Sequence, residues 1–207
     1  MLKAFLLNLV VALIYFLAGK LGQSAAIEPG NFTVFWPPVG IALAFVLKYK
    51  LKPLLGIVAG AFLVNLDGPI AGNGLGEIAF TAGLAVLAAV AALWGSFLLR
   101  RAHINKDPFA NRSTIVRFIL IAPVASLLVP SIGTVMVVLT GSSSLTGLQT
   151  WLIWWLGSTL GLIVFTPITF KLMQSSIATE RFRLLFMTLT MATIAFLIAA
   201  ISIALSY

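Results

Sequence analysis

The chain is a succession of long apolar blocks separated by short polar stretches. The blocks cover roughly residues 4–21, 32–47, 53–66, 76–99, 115–139, 148–170 and 184–205. Barrel strands are excluded, because the blocks lack period-2 alternation and are the wrong length for them. A segment alone in lipid must satisfy its own backbone hydrogen bonds, so each block predicts an α-helix. The third is short: about 14–15 apolar residues span roughly 22 Å at 1.5 Å per residue. That falls below a hydrocarbon core of roughly 30 Å, so this helix is expected to lean on others.

Composition makes the membrane assignment firm. Of 207 residues, 61% are apolar and 9% charged, and the mean hydropathy is +1.13. A soluble domain carries about 25% charged residues, so too little polar surface exists here to coat a water-facing sphere. The expected fold is all-α: one polytopic transmembrane bundle over 1–207 with about seven spans.

Charge sets the expected orientation. Assigning the loops alternately to two sides gathers twelve of the 13 basic residues on one of them. These are Lys3, Lys48, Lys50, Lys52, Arg100, Arg101, Lys106, Arg112, Arg117, Lys171, Arg181 and Arg183, with Lys20 alone opposite. The positive-inside rule then places the N-terminus in the cytoplasm. Basic residues at helix ends fit anionic headgroups, so the lipid bilayer is the expected partner and nucleic acid is not. The first block is read as a retained anchor rather than a cleaved signal, despite the small residues Ser24-Ala25-Ala26. An odd number of spans leaves Tyr207 outside, from which the chain is expected to continue through an external domain or a return helix.

The chemistry-bearing residues are few. The chain has no cysteine and one histidine, His103. Glu28, Asp67 and Glu77 fall on the outer side; Asp107 and Glu180 fall on the cytoplasmic side. No ionisable residue stands clearly at a midplane, where ion-coupled carriers place theirs. Paired carboxylates, a zinc-binding HExxH and a phosphate-cradling glycine loop are missing from the sequence. No catalytic residue, metal site or cofactor is therefore expected.

Other features concern packing. Trp36-Pro37-Pro38 opens the second helix, where proline's missing N–H costs nothing. Asn65 near the end of the third needs a partner. Gly56/Gly60 and Gly157/Gly161 form small-residue ridges that permit close helix approach within one chain. Pro123 and Pro130, seven apart in the fifth block, predict a kink or break on one face, a hinge candidate. Ser126, Ser131 and Thr134 stand near enough to take up the freed carbonyls. In the sixth block Trp151 and Trp154 are expected to differ in direction from Trp155, so that at least one faces the bundle.

Three stretches carry a resemblance: Phe35-Trp36-Pro37-Pro38-Val39-Gly40-Ile41-Ala42-Leu43-Ala44, then Gly60-Ala61-Phe62-Leu63-Val64-Asn65-Leu66, then Trp154-Trp155-Leu156-Gly157-Ser158-Thr159-Leu160-Gly161 with Pro167 beyond. In this order and spacing they resemble the first class of bacterial membrane-associated sensor (MASE) domains. The resemblance implies an N-terminal, non-catalytic sensory module. In that family it feeds a histidine kinase, a diguanylate cyclase or a cyclic-di-GMP phosphodiesterase. Departures are Ser158, where the family usually has an acidic residue, an alanine-rich 84–92 in place of a polar pattern, and seven spans in place of about eight.

The expected function is thus perception of a stimulus in or near the membrane, relayed by helix rearrangement. Trp36, Pro37, Pro38, Asn65, Trp154, Trp155 and Ser158 are the ligand-binding or packing candidates. The expected partners are a small or apolar ligand of unknown identity, an output domain attached beyond residue 207, and a second copy in a homodimer. The rival reading is the substrate-binding membrane subunit of a vitamin transporter, which would copurify with an ATPase. A purely structural module that recruits another membrane protein is the third.

Overall fold

The apolar blocks fold as helices, in a computed structural model that describes residues 1–25, 33, 35–66, 75–104, 107–140 and 146–174. Seven α-helices lie among the described residues: α1 (Leu2–Ser24), α2 (Pro37–Tyr49), α3 (Leu54–Asn65), α4 (Leu75–Arg101), α5 (Arg112–Ala125), α6 (Leu128–Thr140) and α7 (Gly147–Gln174). The described residues include no strand. Among the described residues, four stretches are long and apolar enough to cross a membrane: Leu2–Ser24, Ile78–Arg101, Arg112–Leu139 and Gly147–Gln174. The shorter α2 and α3, of 13 and 12 residues, reach only about 20 and 18 Å. The last predicted block, 184–205, lies outside the described residues.

Local chemistry fixes most helix ends. Pro37 and Pro38 start α2. Its neighbour Trp36 is extended, and the Trp36 N–H donates to Gly157 O of α7 at 3.2 Å. At the end of α4, His103 takes the left-handed conformation (φ 61°). The His103 N–H donates to Arg100 O and the Ile104 N–H to Leu99 O, both at 3.0 Å. This is a Schellman stop, and the buried Ile104 and Leu99 supply its apolar contact. A capping box, Asn111 with Thr114, starts α5. Thr146 and Gln149 do the same for α7, with backbone-to-side-chain bonds of 3.0 and 3.3 Å.

The start of α3 is capped from elsewhere. Pro53 at its N-cap offers no side-chain bond. Asn8 of α1 supplies one instead, accepting from the Gly56 N–H at 2.6 Å and donating to Lys52 O at 2.9 Å.

Packing sorts the helices by exposure. α2 is apolar all round and buried over almost its whole length, which makes it the centre of the bundle. α1 is one-sided. Val11, Tyr15, Gly19 and Gly22 are buried, while Phe5, Leu9, Leu13, Leu17 and Leu21 form an exposed apolar row four residues apart. Such a row suits lipid. Both glycine ridges work within the chain, as the spacing predicts: Gly56 and Gly60 lie against Asn8, Ala12 and Tyr15 of α1, and Gly161 against Trp36.

The fifth block is a broken helix, and the structure corrects the part played by its prolines. α5 stops at Ala125 and α6 starts at Leu128. The break lies between the prolines, not at either. Pro123 sits in the last turn of α5, and Pro130 in the first turn of α6, where its missing N–H disrupts nothing inside that helix. At the break the Leu127 N–H donates to Val124 O at 3.3 Å. The Pro123 carbonyl takes its bonds from side chains: the Ser126 hydroxyl at 2.9 Å and the Trp155 indole N–H at 2.8 Å. Of the three hydroxyls expected to help, only Ser126 does so. Ser131 accepts from the Trp151 indole at 3.1 Å, and the buried Thr134 hydroxyl has no partner among the described residues.

Candidate functional site

Six helices leave a cavity of about 140 Å³ between them. It lies in the half of the bundle where α1 ends and α2, α4 and α7 begin. Tyr15 and Gln23 reach it from α1, Asn65 from the end of α3, and Trp154 and Ser158 from α7. Trp36 and Thr33 line it from the segment before α2. Val39 and Ala42 of α2, Leu84, Ala88 and Ala91 of α4, and Val129 of α6 complete the wall.

The walls hold their polar groups in different states. Tyr15 is buried, only 3% exposed. The Gln23 side-chain N–H donates to Val64 O at 3.0 Å, and that of Asn65 to Ala61 O at 2.7 Å. The partner that Asn65 requires is thus a carbonyl of its own helix. Ser158 is only 6% exposed, and its hydroxyl makes no hydrogen bond among the described residues. Apart from Tyr15, no ionisable side chain among the described residues lines the cavity.

The predicted site residues therefore divide. Trp36, Asn65, Trp154 and Ser158 meet at one cavity. Pro37 and Pro38 are fully buried at the head of α2 and do not line it. Trp155 points to the break in the fifth block, stacked on Trp151 with ring centroids 5.5 Å apart. Sequence reasoning missed Tyr15, Gln23 and Thr33. Tyr15 and Gln23 did leave a signal, as polar-tipped side chains spaced two helical turns apart in the first span.

Trp154 also touches α6. A Cβ placed on Gly133 would come 2.2 Å from the six-membered ring of that indole. The edge of the ring therefore abuts α6, one and a half turns after the break.

The opposite end of α7 is held by polar and aromatic contacts. Lys171 pairs with Asp107 at 2.9 Å. The Asp107 carboxylate also accepts from the Phe109 N–H at 2.8 Å. Partial burial pushes the Asp107 carboxyl up, but the Lys171 and Phe109 hydrogen bonds and the Lys171 charge outweigh it, and the net shift is downward. Phe109 meets Phe118 of α5 and Phe170 of α7 edge to face, at 5.0 and 5.9 Å. The Lys48 ammonium of α2 donates to Met173 O. These contacts join the α4–α5 connection and the end of α2 to the end of α7.

The family model of MASE1, the membrane-associated sensor domain family 1, matches residues 6–207. No curated protein and no solved structure matches the chain.

Proposed function

This chain belongs to the MASE1 family of membrane sensor domains, and we propose that it perceives its stimulus in the cavity between α1, α2, α3, α4, α6 and α7. The signal then passes to an output domain attached beyond residue 207, a histidine kinase, a diguanylate cyclase or a phosphodiesterase. The chain itself makes and breaks no bonds. It crosses a bacterial inner membrane seven times with its N-terminus in the cytoplasm, and its output is organised as a homodimer.

One observation carries this reading: the same side chain, Trp154, lines the cavity and rests on Gly133 of α6. Anything that enters the cavity meets that indole. An indole that shifts must move against α6, and α6 is separated from α5 by the break at 126–127. The break and α7 are tied together by the Trp155 bond to Pro123 O and by the Ser126–Thr159 hydroxyl pair at 2.7 Å. A stimulus shifts the balance between two packings only by its differential affinity for them. A tenfold preference supplies about 1.4 kcal/mol.

The test uses the full-length protein. Trp154→Ala and Asn65→Ala are expected to change output while membrane insertion stays normal. Unchanged output in both would remove the cavity from the mechanism. Reporter fusions within 100–117 are expected on the cytoplasmic side, and a periplasmic location would reverse the orientation.

A further inference from the structure

The cavity's chemistry restricts what it accepts. Apart from the Tyr15 phenol, the described lining carries no ionisable group. An ion entering it would lose water and gain no counter-charge from the described lining, which disfavours charged occupants there. Its volume of about 140 Å³ is close to the roughly 150 Å³ at which an apolar cavity admits benzene. Tyr15, Trp36 and Trp154 present aromatic surfaces, and the short side chains of Ala42, Ala88 and Ala91 leave the space between them. Aromatic pairs gain from stacked and edge-to-face contact beyond the area they bury.

The polar groups add a direction. The side-chain nitrogens of Gln23 and Asn65 each donate one bond to a backbone carbonyl, which orients the amides, and their oxygens accept no hydrogen bond from a described residue. Ser158 lines the cavity and its side chain makes no hydrogen bond among the described residues, so its hydroxyl is open to a partner placed there. The wall thus offers acceptors to a donor on the occupant.

We propose that the cavity binds an uncharged molecule of about one aromatic ring that carries a hydroxyl or N–H donor, of which a simple phenol is the minimal example. The proposal rests on reading the cavity as the stimulus site and names the chemistry of the stimulus.

The test is a calorimetric titration of the full-length protein in lipid nanodiscs with p-cresol, toluene and p-toluate. Ala88→Phe fills the cavity and reports partition into lipid alone. The expected result is saturable p-cresol binding in the native protein, lost in Ala88→Phe, with toluene weaker by about 3- to 10-fold and p-toluate not bound. Ser158→Ala, the milder change, is expected to weaken p-cresol by about 3- to 10-fold and leave toluene unchanged. The proposal is overturned by p-toluate binding as tightly as p-cresol, by p-cresol binding equally to Ala88→Phe, or by Ser158→Ala leaving p-cresol unaffected. Output separates the two levels. If p-cresol binds as described but neither it nor Trp154→Ala alters output, the ligand class stands and the sensory reading falls. If Trp154→Ala alters output and p-cresol does not bind, the sensory reading stands and the ligand class falls.

Discussion

At Gly161, α7 lies backbone to backbone on the segment leading into α2, whereas at Trp154 it leans on α6 through the edge of a ring. The clearances are nearly equal. A Cβ on Gly161 would come 2.1 Å from Trp36 O, one on Gly40 would come 2.2 Å from Gly161 O, and one on Gly133 would come 2.2 Å from the Trp154 ring. The obstacles differ in kind. The first two are backbone oxygens, which move only if a helix moves. The third is a side chain with two torsions, which swings for far less. Two contacts equally tight by distance are therefore unequal in stiffness. The stiff one fixes α7 to the central helix, and the soft one borders the cavity.

This contrast can be broken at several points. Gly161→Ala has the largest expected effect, a loss of about 3 kcal/mol from forced separation of α7 and α2. It would be read as a lower unfolding temperature and a smaller monodisperse fraction in detergent. Wild-type stability in that variant would show that the α2–α7 contact yields after all. Gly133→Ala is expected to cost less, about 1–2 kcal/mol, because the indole gives way. Its signature is altered output at modest cost, and a loss equal to that of Gly161→Ala would erase the distinction. Trp155→Phe removes one hydrogen bond to the Pro123 carbonyl, worth about 1 kcal/mol. Amide hydrogen exchange over 126–131 should accelerate, and an unchanged rate would mean the break holds without that clamp.

The smallest effect lies at the far end of α7. Asp107→Asn removes a partly exposed pair worth at most about 1 kcal/mol. Because the Asp107 carboxyl is shifted down in the folded protein, its contribution is complete above the ordinary carboxylate value of about 3.9. It is lost only as pH falls through the lower folded value. Exchange protection near 171–174 should thus be constant from neutral pH to about pH 5 and fall in stronger acid. A fall already complete at pH 5 would contradict the downward shift.

Much of the fold was readable from the residues. The described helices follow the apolar blocks because each helix satisfies its backbone internally, whatever its neighbours do. Pro37-Pro38 announced the start of α2, whereas the capping box Asn111-x-x-Thr114 that starts α5 was not singled out. The paired glycines marked close contacts. The break in the fifth block was legible from its prolines, but its position was not. Pro130 reads as an interior proline until the chain reorders after Leu127 and makes it a first-turn residue. Of the candidate site, Trp36, Asn65 and Trp154 were legible as unusual residues in apolar surroundings, and Ser158 through the family resemblance. Tyr15 and Gln23 were not singled out, because a tyrosine and a glutamine on a first span look equally like interfacial residues.

The sequence by itself determined that this protein is a set of apolar helices and where most of them start and stop. These depend on local hydrogen bonding and on proline, both of which act within a few residues. The tertiary structure alone decided that residues from α1, α3 and α7 share one cavity, that Asn8 caps a helix 48 residues away, and that Trp154 rests on Gly133. Those depend on crossing positions of helices, and in an apolar chain almost every face is hydrophobic enough to pack. Only the fit of one helix surface against another selects among them.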